Sequence, residues 1–87
     1  MYTLYFSQQV KKSLKKLDAQ TQRLVKNWIN KHLQGVIDPR IYGKALTGDL
    51  KGFWRYRIGD YRLIAKIEDK KLLIFLVELE HRSTVYR

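Results

Sequence analysis

The sequence predicts an α+β fold, in the order β-α-α-β-β-β, with a helical hairpin packed on one face of a small antiparallel sheet. Two hydrophobic patterns carry this prediction. Apolar residues recur at helical spacing over residues 7–34, whereas they alternate with polar residues over 54–67, as in strands. Because 87 residues suffice for one hydrophobic core, we expect a single domain over residues 1–87.

The first half of the chain predicts one strand and two helices. Residues 2–6 are rich in aromatic side chains, which favour a strand, and Ser7 begins the first helical pattern. Its apolar stripe is formed by Val10, Leu14 and Leu17. Asp18 is the predicted N-cap of the second helix, because a carboxylate accepts the free N–H groups of a first turn. That helix runs to about Gln34 and ends at Gly35, so the two helices form a hairpin.

The second half predicts a long connection followed by three strands. Residues 36–52 contain the single proline and three of the five glycines, so they are mostly loop and turn. The alternating segment 54–67 is divided by a tight turn at Gly59 and Asp60. Residues 72–79 are apolar on both faces at first, as in a central strand.

Charge is the strongest compositional signal. The formal net charge is +10 and the pI is about 10.0. Residues 1–43 carry eight basic and two acidic groups, and residues 44–87 carry ten and six, so the excess is not confined to a tail. A basic folded body indicates a polyanionic partner, and a merely soluble basic protein is the alternative.

Composition also excludes several classes of protein. The chain has no cysteine and two histidines, which excludes a disulfide scaffold and makes a zinc centre unfavourable. We therefore expect no cofactor and no metal. The sequence shows neither a long apolar run for a membrane span nor a signal peptide, so we expect a cytoplasmic protein without membrane contacts.

Strand alternation predicts a cluster of arginines on the sheet face opposite the helices. If Trp54 and Tyr56 face the helices, then Arg55 and Arg57 face away, and Arg62 joins them from the next strand. One guanidinium group can donate two parallel hydrogen bonds to two phosphate oxygens, so this face suits a phosphodiester. A solvated charged sheet face is the alternative explanation.

The C-terminal segment adds titratable groups to this cluster. His81 is suited to proton transfer near neutral pH, Arg82 adds a guanidinium, and Tyr86 can act as a base where cations stabilise its phenolate. Alone, His81 indicates a surface residue. Together with the arginines, these groups meet the needs of RNA cleavage without a metal: a base, an acid and cations for the charged transition state.

Four motifs together resemble those of one toxin superfamily. They are K-A-L-T-G at 44–48, W-R-Y-R at 54–57, D-Y-R-L at 60–63 and H-R-x-x-V-Y at 81–86. The chain resembles the RelE branch of the RelE/ParE superfamily, the mRNA interferases of type II toxin–antitoxin modules. The resemblance implies a ribosome-dependent, metal-independent endoribonuclease that cleaves mRNA in the ribosomal A site. It also implies a RelB-like cognate antitoxin, with the ribosome and mRNA as partners and DNA contacted only through the antitoxin complex.

The resemblance also implies roles for particular residues. Arg55 and Arg57 stabilise charge at the scissile phosphate, Arg62 grips it, and Tyr86 matches the tyrosine proposed as base for the 2′-OH. Where this chain has Arg55 and Arg57 the enterobacterial RelE has lysines, and near the position of its arginine acid this chain has Glu80. His81, or else Arg82, then supplies the leaving-group proton. The predicted substrate-binding residues are Lys44, Lys51 and Arg82.

Two other functions remain possible on the sequence. A ParE-like toxin inhibits DNA gyrase by binding and lacks the catalytic set, so Arg62, His81 and Tyr86 favour the RelE branch. A simple basic nucleic-acid-binding module is the third candidate. Substitution of Arg62 or Tyr86 distinguishes a nuclease, which loses cleavage, from a binding module, which has no cleavage to lose.

Overall fold

The computed structural model describes residues 1–85, which form two helices packed on a five-stranded sheet, with a short C-terminal helix. In chain order the elements are β1 (Thr3–Phe6), α1 (Gln8–Lys16), α2 (Ala19–His32), β2 (Lys44–Ala45), a 3-10 turn (Gly48–Leu50), β3 (Phe53–Ile58), β4 (Tyr61–Glu68), β5 (Leu73–His81) and α3 (Arg82–Val85). The α+β class and the order of the main elements are confirmed.

Both predicted helix starts are confirmed by their caps. The Ser7 hydroxyl accepts the Val10 N–H at 3.1 Å, and the Asp18 carboxylate accepts the Thr21 N–H at 3.3 Å. The second helix ends at His32, slightly before the predicted end, and Gly35 adopts a φ of 67° just beyond it. The helical hairpin is therefore defined by local sequence signals.

The sheet is mixed, whereas the sequence predicted a purely antiparallel one. Its strand order is β1-β5-β4-β3-β2, and β1 pairs with β5 in parallel. Short turns force β3, β4 and β5 to be antiparallel. No short turn joins β1 to β5, so these two strands can pair in either relative direction. The two-residue strand β2 lies in the segment predicted as loop. The predicted central strand is confirmed, since β5 has a neighbour on each side.

One hydrophobic core lies between the helices and the sheet. Its fully buried members include Val10, Val25 and Ile29 from the helices, and Tyr56 and Leu63 from the sheet. The sequence placed two further side chains in the core, Trp54 and Ile67, and these are only half-buried. The Arg40 guanidinium lies 5.6 Å from the centre of the Trp54 ring, which shows that the connecting loop covers this part of β3.

A buried hydrogen bond joins the same loop to the core. The Tyr56 hydroxyl donates to the Pro39 carbonyl, and burial raises the pKa of Tyr56 to about 12. We expect Tyr56→Phe to lower the free energy of unfolding by about 1–3 kcal/mol, because the Pro39 carbonyl loses its donor. Urea denaturation measures this loss. Tyr42→Phe is the control, since Tyr42 is half-exposed. Equal stability of the two variants would contradict the prediction.

Candidate functional site

The outer face of the sheet carries the predicted arginine cluster. Arg57 and Arg62 are register partners on β3 and β4, and Arg55 pairs with Lys44 of β2. Side chains at paired positions lie about 4.5–5.5 Å apart at Cβ, so like charges meet directly across two pairs of strands. This arrangement is unfavourable without an anion, which makes the face a candidate anion site.

The arginines line one cavity at the tip of the β3–β4 hairpin. Its volume is about 310 Å³, roughly ten times the share of liquid volume that one water takes, so a phosphate group fits. The lining residues are Arg55, Arg57, Gly59, Asp60, Tyr61, Arg62 and Arg82. The four arginines are predicted from the sequence, whereas Asp60 is predicted only as a turn residue and strand alternation predicts that Tyr61 faces the core.

Two donors of this cavity have no partner within residues 1–85. The Nε atoms of Arg55 and Arg62 are buried and make no hydrogen bond there. An unsatisfied buried donor costs about 1–3 kcal/mol, and more when charged. Arg57, by contrast, is exposed at the rim. A nearby anion would offset the cost of burying these charges, so the geometry favours an anionic ligand at these two side chains.

Arg82 reaches the cavity through a contact with the hairpin turn. Its backbone N–H donates to the Asp60 carbonyl at 2.8 Å, and its Nη1 lies 3.8 Å from Asp60 Oδ1. Both side chains are 67% exposed, and exposed ion pairs contribute about 0–1 kcal/mol. The backbone contact therefore holds Arg82 beside the cavity, while its guanidinium can exchange Asp60 for a stronger acceptor.

A pair of carboxyl groups borders the arginines on β5. Glu80 is the register partner of Arg62, and Glu78 lies two residues before it on the same face. A hydrogen bond to Glu80 raises the pKa of Glu78, and the charge of Arg62 opposes this shift. A proton held in this pair reduces the negative charge beside Arg62. The arginine cluster therefore has an acidic border on β5.

His81 lies near the cavity without lining it. His81 is the register partner of Tyr61, and the two rings lie edge-to-face with their centres 5.1 Å apart. The next register pair along these strands is Arg62 with Glu80. Alternation therefore directs His81 away from Arg62. Its Nδ1 accepts the Ser83 N–H at 3.1 Å, so the proton of the neutral ring is on Nε2. The contact between His81 and the cavity runs through Tyr61.

Three other predicted site residues have separate positions. Lys44 lies on β2 beside Arg55, is exposed, and extends the basic face to the sheet edge. Lys51 is exposed at the end of the 3-10 turn and does not line the cavity. Tyr86, the predicted base, lies outside the described residues, so its place relative to the arginines stays a prediction.

Residues 1–85 contain neither a membrane-spanning helix nor a metal-binding cluster. In that part of the chain, no helix is both long and apolar enough to cross a membrane. The same residues hold no group of three or more His, Cys, Asp or Glu side chains placed to bind a metal ion.

Comparison with known proteins establishes the family. A family model described as the ParE toxin of type II toxin–antitoxin systems matches residues 4–86. The chain belongs to this toxin family. Toxin RelG of Mycobacterium tuberculosis is 29% identical to this toxin over 86 residues, which cover 99% of this chain and 97% of RelG. The superfamily that the motifs indicated is thus confirmed, and the toxin is RelE-like.

Solved structures support the same assignment. This toxin matches the crystal structure of the toxin–antitoxin complex RelBE2 from Mycobacterium tuberculosis with a TM-score of 0.83 and 28% identity, over 93% of this chain and 98% of that one. It matches the isolated Escherichia coli RelE toxin with a TM-score of 0.74 and 26% identity, over 99% and 92% of the two chains. The described fold is therefore that of RelE toxins.

Proposed function

We propose that this toxin is a metal-independent endoribonuclease that cleaves mRNA on the ribosome and so inhibits translation. The arginine cavity is the observation that carries the proposal. It joins four guanidinium groups around a space that fits a phosphodiester, and the Nε donors of Arg55 and Arg62 are buried there without partners in the described part of the chain. The similarity to toxins named RelG and RelE supports this branch of the superfamily.

The proposed reaction is an internal phosphoryl transfer. Tyr86 removes the proton of the ribose 2′-OH, whose oxygen then attacks the neighbouring phosphorus. The bond from phosphorus to the 5′ oxygen breaks, and that oxygen takes a proton, which leaves a 2′,3′-cyclic phosphate and a 5′ hydroxyl. Arg55, Arg57 and Arg62 stabilise the charge that develops on the phosphoryl oxygens. Arginine gives up its proton only with difficulty, so these three residues serve as electrostatic groups and another side chain is the first choice for proton transfer.

His81 is the proposed proton donor, although it does not line the cavity, so its ring must turn past Tyr61 to reach the leaving oxygen. Arg82, which lines the cavity, is the alternative. We expect His81→Gln to lower the rate of cleavage about 10²-fold and to flatten its pH profile, because glutamine keeps hydrogen bonding and does not titrate. Single-turnover cleavage of ribosome-bound mRNA at several pH values measures this effect. His32→Gln is the control, since His32 contacts the Trp28 carbonyl on the second helix. A change of less than threefold would assign the proton to another group.

The proposed protein partner is a RelB-like antitoxin with acidic segments. The first two helices contain no acidic residue and carry seven lysines and arginines, which adds a second basic surface to the arginine cavity. The RelBE2 structure similar to this toxin is itself a toxin–antitoxin complex. An extended or helical acidic segment is suited to such a surface.

Antitoxin binding is expected to depend strongly on salt. Raising the ionic strength from 0.05 M to 0.5 M screens the attraction and should lower the association rate constant at least tenfold. Surface plasmon resonance with the cognate antitoxin measures this. Substitution of Lys11, Lys12, Lys15 and Lys16 by glutamine should reduce the salt dependence. A rate constant that stays flat across this range would contradict electrostatic capture.

Inhibition of DNA gyrase without hydrolysis is the second candidate function. The observation that favours it is the family model, which is described for ParE toxins. A reconstituted translation reaction with purified toxin separates the two. Cleaved mRNA that ends in a 2′,3′-cyclic phosphate supports the nuclease, and the reaction should survive chelation by EDTA at magnesium levels that keep ribosomes intact. Intact mRNA together with inhibited supercoiling by gyrase would support the alternative.

A further inference from the structure

A second groove lies next to the arginine cavity. It runs between the first half of α2 and the tip of the β3–β4 hairpin and has a volume of about 250 Å³. Its lining residues are Gln20, Thr21, Leu24, Ile58, Gly59, Asp60 and Tyr61. The predicted catalytic chemistry uses none of the three helix residues, so this groove has no role in the function proposed above.

The groove and the arginine cavity share residues at the hairpin tip. Gly59, Asp60 and Tyr61 line both spaces. Leu24 reaches across to the turn, because its Cδ2 lies 3.9 Å from the point where a Cβ on Gly59 would be. The two spaces therefore lie on either side of one tight turn, and a single extended ligand can occupy both.

The two spaces differ in chemistry. Four arginines dominate the cavity, whereas the groove combines the apolar side chains of Leu24 and Ile58 with the ring of Tyr61, an amide and a hydroxyl. Leu24 is 53% exposed, so its side chain is open to a ligand in the groove. An apolar floor with a few polar groups at its edge is typical of sites that bind a flat heterocycle.

We propose that this groove binds a nucleobase of the RNA strand whose phosphate lies in the arginine cavity. The inference rests on the proposed nuclease function and adds a base-reading subsite to it. A nucleotide joins an anionic phosphate to a flat ring with a polar edge. The phosphate matches the arginine cavity, and the ring matches the adjoining groove. The Asp60 carboxylate stands between them and disfavours a second phosphate in the groove.

The polar residues of the groove suggest how a base is read. Gln20 is exposed on the first turn of α2 and offers both an amide N–H and a carbonyl. Thr21 adds a hydroxyl, while its backbone N–H is already engaged by Asp18. Stacking against Tyr61 supplies affinity for any base, and contacts to Gln20 supply preference among bases.

NMR titration of the isotope-labelled toxin tests the proposal without cleavage. The probes are inorganic phosphate and a dinucleotide whose 5′ nucleoside is 2′-deoxyadenosine, which cannot attack its own phosphate. We expect phosphate to shift the amide signals of Arg55 and Arg62, and the dinucleotide to shift those of Gln20 and Leu24 as well. A dinucleotide that shifts the same signals as phosphate would overturn the inference.

Variants separate a base subsite from a general effect on the fold. The double variant Gln20→Ala, Leu24→Ala should weaken dinucleotide binding about tenfold and leave phosphate affinity within twofold. Asn27→Ala, an exposed position of the same helix outside the groove, should change neither. Equal dinucleotide affinity of the wild type and the double variant would contradict the proposal. Absence of phosphate binding at Arg55 and Arg62 would instead contradict the nuclease function on which it rests.

Discussion

Arg62→Ala is expected to lower the rate of mRNA cleavage by about 10²–10³, the cost of losing one donor to a developing anion. Arg62 lies at the centre of the outer face, with Arg57 and Glu80 as its register partners on either side. Its Nε is buried without a partner within residues 1–85, while the residue lines the cavity, so the rest of its guanidinium is available to a bound phosphate. Single-turnover cleavage of ribosome-bound mRNA by the purified toxin measures the effect.

The controls for this variant come from the same part of the sheet. Lys66→Ala removes an exposed cation from the same strand away from the cavity and should change the rate less than threefold. Arg57→Ala should be milder than Arg62→Ala, because Arg57 lies exposed at the rim. Full cleavage by a folded Arg62→Ala protein would show that the cavity is not the reaction site.

Tyr86→Phe is expected to have the other large effect, a loss of about 10²-fold or more in the same rate. The variant keeps the aromatic ring and removes the ionisable hydroxyl, so it tests the base without altering size. RNA binding should be retained, since the arginines are unchanged. Rates measured against pH separate a lost base from a lost contact, because only the first changes the shape of the profile.

The matched control is Tyr42→Phe, which removes a hydroxyl from a half-exposed ring in the connecting loop. It should cleave mRNA at the wild-type rate. Unchanged cleavage by Tyr86→Phe would mean that another group acts as the base. The carboxyl pair Glu78 and Glu80 borders Arg62 and would then be the next candidate.

The position of the arginines could be predicted because burial fixes the register of β3 and β4. Tyr56 and Leu63 are fully buried, and a shift by one residue would exchange the two faces of their strands. Arg55, Arg57 and Arg62 therefore had to face outward once the strands were recognised. The helix caps at Ser7 and Asp18 were equally predictable, because each is a local interaction.

Other features depend on contacts that no local pattern encodes. The parallel pairing of β1 with β5 joins residues about 70 positions apart, such as Thr3 with Leu73. The separation of His81 from Arg62 follows from a strand that continues past Leu79 to His81, where the sequence suggested a polar tail. The groove beside α2 could not be predicted, because the helical pattern places Leu24 on the buried face of α2.

The contact between Asp60 and Arg82 also could not be predicted from the sequence. Asp60 gave only a turn signal, and nothing in the tail indicated that Arg82 would return to that turn. The charge of the face was predictable from composition, whereas its acidic border at Glu78 and Glu80 required the register of β5.

The most direct test of the nuclease assignment is to map mRNA ends in bacteria after inducing the toxin without its antitoxin. We expect new 5′ ends with free hydroxyls inside translated regions within minutes, and none in cells that induce Arg62→Ala at equal protein levels. Growth arrest with intact mRNA in both strains, accompanied by loss of DNA supercoiling, would contradict it.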